Sequence, residues 1–384
     1  MQLEIHVLQS FPPANLNRDE NGMPKSTFFG GRPRARISSQ CQKRAVRLHY
    51  QQRSALSSEN FANRSRSWLA ELKPLLVSAD IPEEKAESAA KLALAVLGAE
   101  EDPKNPKKTK TILFLGQTEL AAIADILIKN WVAIEPELDK RALPTKEPNI
   151  PKVIEKSLVS TGKPGDVALF GRMMASLPSV NVDAAVQMAH AISVNTLQQE
   201  FDFFTAVDDL SDTSDLDAED DKGADHLGET GYNSSTYYRF TVLDTNQLIK
   251  NLGSSDQVMA IAQAFAEAFV QAIPTGHQNG FAAHSLPAVV MAVVRNGQPV
   301  SLVDAFEDPV APKNGKSLLE NAVAKLDDHW HELTGMYGEK SVVFKGIVTR
   351  EKLAQQLDHL ENFKKSTVEE LLKDAITAAF PEGN

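Results

Sequence analysis

The chain of 384 residues holds a single cysteine, Cys41. That excludes an internal disulfide framework and a zinc site built from cysteines. No run of about 18 apolar residues occurs, so no transmembrane helix is expected. The opening MQLEIHVLQS lacks the basic and apolar regions of a signal peptide. It reads instead as a strand, with Leu3, Ile5 and Val7 in alternation, and a cytoplasmic setting is expected. No convincing helix-turn-helix pattern is present. Positive charge is in deficit overall, with a formal net charge of −11. Residues 200–229 hold twelve Asp/Glu and one Lys, which is the whole of that excess. The remainder is neutral, so global charge does not exclude a polyanionic partner.

What is present is a basic run near the N-terminus. From Arg18 to Arg47 there are eight Lys/Arg against two Asp/Glu. Within it, residues 28–40 read FFGGRPRARISSQ. Arg32, Arg34 and Arg36 sit two apart, and period-two alternation predicts all three guanidiniums on one side of an extended strand. Ser38 and Ser39 stop the strand, and Ser39 with Gln42 predicts a capping box. The following helix carries Gln40, Lys43, Arg44 and Arg47 on one face. Cys41, Ala45 and Leu48 form a second stripe that can pack. Helix N-termini bind anions and arginine forks grip phosphate, so a row this long suits a polyanion laid along the protein.

Beyond this run, residues 10–27 read as a long loop with Pro12, Pro13, Gly22 and Pro24. Residues 58–135 have helical patterns, interrupted by a Lys-rich loop at 102–110, and residues 141–165 look irregular. Strands are expected at 167–174, 184–194, 236–243 and 281–294, and helices at 255–273, 318–333 and 367–379. Ser254 and Gln257 suggest a capping box for the first of these. Residues 208–225 are acidic and of low complexity. Strands near both ends with helices between indicate an α+β fold. The first strand and basic helix cannot form a sheet alone, so the helical region is an insertion.

The N-terminal block HVLQSFPPANLNRDENGMPKSTFFGGRPRARISSQCQKRAVR closely resembles the crRNA-binding backbone subunit of type I-E CRISPR Cascade, often called CasC. Two later blocks agree, FDFFTAVDDL at 201–210 and GYNSSTYYRF at 231–240, in the family's order. The resemblance runs the length of the chain and is weak at about 60–164 and after 309. It implies an RRM-like (ferredoxin-like) palm, a helical fingers insertion and an extended thumb hairpin or loop. The palm would comprise 1–57, strands at 167–196, and 232–384 with the C-terminal helices. The fingers would be 58–166 and the thumb 197–231.

The resemblance further implies an antiviral ribonucleoprotein subunit, not an enzyme, with no cofactor or metal. Its partners would be crRNA, target DNA, other copies of itself and other Cascade subunits, with no membrane. Arg18, Lys25, Arg32, Arg34, Arg36, Ser38, Ser39, Gln40, Lys43, Arg44 and Arg47 would hold the RNA backbone. Arg172 and His190, in expected palm strands, could join them. Phe203, Phe204 and Thr205 lie where the family's thumb displaces a base, and aromatic rings can wedge between bases without reading sequence.

Four other constellations invite a functional reading. Asp208 and Asp209 could ligate Mg²⁺ in a metal-dependent ribonuclease, but no His or Lys partner is near in sequence and the segment reads as a solvated acidic loop. A DNA-binding transcriptional regulator is a further alternative. His329-Trp330-His331-Glu332 places its histidines two apart, which on a helix do not converge, so it reads as a helix surface. Cys41 lacks a positioned base and reads as a packed thiol. Lys104, Lys107, Lys108 and Lys110 form a second basic patch, either a solvated loop or a salt-sensitive DNA-backbone contact.

Overall fold

A computed structural model describes residues 1–206, 226–253 and 257–381. Asp208 and Asp209, with the whole acidic stretch 208–225, and Ser254 lie outside the described residues. The fold is α+β, with a large antiparallel sheet and helices between and after its strands. Two compact units divide the chain.

The first unit comprises Met1–Gln52, Met188–Val242 and Phe265–Asn384. Along the sheet the strands run Val342–Thr349, Val289–Arg295, Gln2–Ala14, His226–Asp244, Ala191–Ser193, Arg32–Ile37 and Ser26–Phe29. Glu200–Ala206 and Val186–Met188 also pair with His226–Asp244. Four of these strands and two helices occur, with other elements between them, in the order strand Gln2–Ala14, helix Ser39–Arg53, strand Ala191–Ser193, strand His226–Asp244, helix Val258–Gln271 and strand Val289–Arg295. The first strand pairs antiparallel with the last, from Gln2 opposite Arg295 to Leu8 opposite Val289.

Every residue of Val289–Arg295 is buried. That is the signature of a strand covered on both faces, and it explains the unbroken apolar run VVMAVV. The first strand shows how two covered faces coexist with alternation. Leu3, Ile5 and Val7 are buried on one face, yet Glu4 and His6 on the other are buried too. Glu4 accepts a hydrogen bond from Arg295 Nε at 2.8 Å. His6 Nδ1 lies 2.8 Å from the Tyr238 hydroxyl, and its ring stacks on Phe240 at 4.8 Å. Polar groups thus enter the core with partners, as desolvation demands.

The expected loop at 10–27 is partly strand, because Gln2–Ala14 continues through Pro12 and Pro13. Both prolines are exposed at the strand's end, where a missing N–H costs little. The expected strand at 281–294 begins at Val289, and Gln278–Phe281 is a helical turn. The expected helices at 318–333 and 367–379 form as Leu318–Tyr337 and Val368–Ala379, capped by Ser317 and Thr367.

The second unit comprises Arg53–Gln187 and Leu243–Ala264. Helices Trp68–Val77, Glu83–Val96, Gln117–Lys129 and Ile150–Ser160 supply its core, centred on Trp68, Leu72, Ala89, Ile123 and Ile154. Short strands interrupt them, Ala62–Ser65 against Leu113–Gly116 and Glu101–Asp102 against Asn105–Thr109. Over its first half, 167–170, the expected strand at 167–174 is instead part of the helix Gly165–Phe170, and beyond it Arg172 makes only an isolated antiparallel bridge with Val182. Val167 there packs on Ala62 and Phe114, so its apolar run is a buried helix segment. Short apolar runs do not distinguish the two by periodicity. Among the described residues no helix is long and apolar enough to cross a membrane.

Candidate nucleic-acid interface

The basic run folds around the start of helix Ser39–Arg53. Residues 15–25 double back on themselves. Asn17 O accepts from Lys25 N at 2.9 Å, and Asp19 Oδ1 accepts from the N–H groups of Asn21 and Met23. Asn17 Oδ1 accepts from Ser38 N at 2.8 Å, which ties this loop to the helix entry.

The helix cap lies one residue earlier than the sequence pattern suggests. Ser38 Oγ accepts from Cys41 N at 3.2 Å, so Ser38 is the N-cap and is buried. Gln42 does not reach back to close a box with Ser39. It is buried, donating from Nε2 to Ala189 O at 2.9 Å and accepting from Arg239 Nε at 3.2 Å. Ser39 N donates to Nδ1 of His190 at 2.9 Å.

The first turn of this helix holds no acidic residue. Its positive end therefore adds to the charges around it. Burial, then Arg36 and Lys25, push the His190 imidazole below its ordinary range. Burial pushes the Cys41 thiol up, against Arg44 and Lys25, which pull it down. Lys25, Arg36 and Arg44 thus act on groups within the first turn and beside it. Gln40 and Arg44 are exposed, and Ser39, Lys43 and Arg47 are half-buried. The arrangement can bind phosphate through cationic side chains at a helix start.

The arginine row itself splits, which corrects the expectation of three guanidiniums facing RNA. Arg32 is exposed and Arg36 half-buried, with its Nε donating to Ser26 O at 3.2 Å. Arg34 is fully buried. Its Nη1 donates to Ser193 O and Val194 O at 2.9 and 3.2 Å. Its Nη2 donates to Phe306 O and Glu307 O, both at 2.8 Å. Burial lowers its guanidinium against the pull of Asp308. The strand lies inside the sheet, and a returning segment at 306–307 covers that face over its middle residue. Gly30 has φ of +58°, and a Cβ there would come within 1.8 Å of Glu307 O, so this closure demands glycine.

Arg172 is likewise corrected. It belongs to the second unit, buried, with its Nη1 2.8 Å from both carboxylate oxygens of Glu119. It also donates to Val180 O at 3.2 Å. It is a core ion pair, unable to meet RNA phosphate. Arg18 is exposed, and its Nη1 donates to Nε2 of His277 at 2.8 Å. Sequence reasoning missed His277, which sits in a turn-rich PTGHQNG segment with no periodic signal.

Glu200–Ala206 and the strand starting at His226 form an antiparallel hairpin, with Phe203 opposite Glu229 and Phe204 opposite Gly228. Phe201, Phe203 and Phe204 are 50, 70 and 54% exposed, so much of each aromatic is offered to solvent. The ring of Phe204 lies so close over Gly228 that a Cβ there would meet it at 2.1 Å. Thr205 stands opposite Leu227.

In the second unit, Lys104, Lys107 and Lys108 are exposed on the hairpin Glu101–Thr109, whereas Lys110 pairs with Glu100 at 2.9 Å. His329 and His331 do not converge. His331 stacks on His359 at 3.8 Å, and His329 lies 3.9 Å from Glu332. Asp327, Asp328 and His359 are clustered, but Asp327 already accepts the N–H groups of residues 358, 359 and 360.

A comparison with curated proteins finds no match. Among solved structures, the chain is similar to a chain of a "CRISPR RNA-guided surveillance complex, pre-nicking", at 30% identity and TM-score 0.82, covering 99% of this chain and 100% of the other. It is also similar to a chain of a "CRISPR RNA-guided surveillance complex" at 25% identity and TM-score 0.73, with the same coverage. The family model of the CT1975-like protein matches residues 3–374, nearly the whole chain, and the chain belongs to this family of CasC-like Cascade proteins.

Proposed function

We propose that this chain is the crRNA-binding backbone subunit of a type I-E Cascade complex, with a structural and not a catalytic role. Several copies line one guide RNA in the cytoplasm, each holding a stretch of sugar-phosphate and presenting the bases for pairing with target DNA. Sequence reading is left to base pairing, so the protein needs shape and charge and no base code. Head-to-tail contacts between copies give an open filament whose length the RNA sets.

One observation carries this reading: Lys25, Arg36 and Arg44 gather at the start of a helix whose first turn has no acidic residue. Arg32, Arg18, Gln40, Lys43 and Arg47 extend that surface. The strand order 289–295, 2–14, 226–244, 191–193, with helices after the first and third strands in sequence, supports an RRM-like palm. The hairpin with Phe203 and Phe204 serves as thumb and the second unit as fingers.

The test is Lys43→Glu with Arg47→Glu. Guide RNA that co-purifies with the wild-type complex should be lost, with an unchanged circular dichroism spectrum. Full RNA retention in a folded double variant would overturn the reading.

A further inference from the structure

Three segments of the first unit interlock beside the basic surface. Asn15 Nδ2 donates to Gly22 O and Gly231 O, at 2.9 and 2.8 Å. Gly231 packs on Met23 and Pro24 so closely that a Cβ would meet the Met23 sulfur at 2.5 Å. Gly276 packs on the backbone of Leu16, where a Cβ would meet its carbonyl oxygen at 2.4 Å. The loop 15–25, the foot of the hairpin and the segment 274–282 are thereby fixed to one another.

What these contacts assemble is a short aromatic ladder. The rings of Tyr232 and Phe281 are 5.7 Å apart at 47°, and those of Phe281 and His277 are 6.2 Å apart at 44°. All three residues are half-buried, and Phe281 rests in part on the core cluster that holds Phe11, Leu16 and Ile37. One end of the ladder is cationic, because Arg18 Nη1 donates to His277 Nε2 at 2.8 Å. The other end is anionic, because the Tyr232 hydroxyl donates to Glu200 at 3.3 Å. His277 and Ala282 both hold positive φ, 50° and 46°, a conformation costly for residues with a Cβ. The segment is bent to this shape at a cost that the surrounding contacts offset.

We propose that this ladder seats one unstacked nucleotide of the bound RNA, its base on the Phe281 ring between Tyr232 and His277 and its phosphate on Arg18. The inference rests on the RNA-binding reading above. Aromatic faces accept any base by stacking, and a guanidinium at one end accepts a phosphate. The charge gradient sets the direction, since a phosphate near Glu200 would be repelled. Continuity with the basic helix start supports an RNA occupant. Arg18 follows Asn17, which bonds both Lys25 and Ser38. Arg18 also bridges antiparallel to Pro24, the neighbour of Lys25, so RNA held at Lys25 would come next to Arg18 and the ladder. His277 is a positioning residue in this scheme, holding Arg18 through a ring nitrogen.

The experiment loads the full chain with single-stranded RNA in which uridines are replaced by 5-iodouridine, irradiates it, and maps adducts by mass spectrometry. Adducts on Tyr232, Phe281 or His277 are expected. Phe281→Leu keeps apolar bulk and should remove the Phe281 adduct while weakening RNA binding about fivefold or more. His277→Gln keeps an acceptor for Arg18 without the ring, and should weaken binding less than His277→Ala. Adducts confined to other residues on a chain that holds RNA, with Phe281→Leu binding at wild-type strength, would overturn the inference and leave the RNA-binding reading intact. A chain that binds no RNA would fail both. The adduct map uses wild-type protein, so a misfolded variant does not blunt the test.

Discussion

Ser39 gives its backbone N–H to Nδ1 of His190 at 2.9 Å, so the basic helix begins on an imidazole that must keep that nitrogen unprotonated. Burial and the nearby Arg36 and Lys25 hold the ring below the ordinary value of 6.5. An unfolded chain therefore takes up the proton first as pH falls. The contribution of this contact is whole above 6.5 and is lost as pH falls through the lower native value. Phosphate placed against Arg36 and Lys25 would cancel their repulsion. We expect the His190 ring resonance to titrate below 6.5 in the free protein and to move upward on RNA binding. A titration midpoint unmoved by bound RNA would place the phosphates elsewhere.

The split of the arginine row predicts opposite phenotypes for neighbours of identical chemistry. Arg34→Met leaves four carbonyl oxygens without their donor and should cost about 3 kcal/mol or more, read by urea denaturation. Arg32→Ala removes an exposed side chain and should change stability by less than about 0.5 kcal/mol. RNA affinity should respond the other way, falling for Arg32→Ala. Equal stability of the two variants would contradict the buried clamp.

Lys104, Lys107 and Lys108 stand clear on their hairpin, and Lys110 is engaged by Glu100. Replacing these three exposed lysines with Ala should weaken nonspecific duplex-DNA binding, more at low salt than at high. Each lost phosphate contact should reduce the slope of log affinity against log salt by roughly 0.9. RNA assembly should be unaffected. Unchanged DNA affinity at low salt would make the patch merely solvated.

Phe203→Ala with Phe204→Ala should leave guide loading largely intact and harm target-strand binding. In the proposed function loading would rely on the cationic helix start, which the hairpin change does not touch. Base stacking on an aromatic is worth roughly 1–3 kcal/mol, and in the proposed filament the loss would repeat with every copy along the guide. Native mass spectrometry of the loaded complex and filter binding with complementary DNA separate the steps. Shortened assemblies before any target is added would instead make these rings subunit glue.

Much of this protein is legible in one dimension. The helix Ser39–Arg53, the capped helices at Ser317 and Thr367, and the alternating first strand depend on neighbours within a few residues, which a sequence displays. The three blocks of family resemblance lie in that same register. Local rules fail where the deciding partner is distant. Period two set Arg32, Arg34 and Arg36 on one side of a strand, but whether that side meets water or protein depends on a segment more than 270 residues later, at Phe306 and Glu307. The stretch 167–174 carries an apolar run that suits strand or helix, and its first half, where Val167 packs on Ala62 and Phe114, is helix. Arg172 acquired its meaning from Glu119, across 53 residues. Sequence fixes which groups can bear charge and how the backbone repeats. Only the tertiary fold assigns each charge a dielectric, because burial is a property of the neighbours that arrive and not of the residue itself.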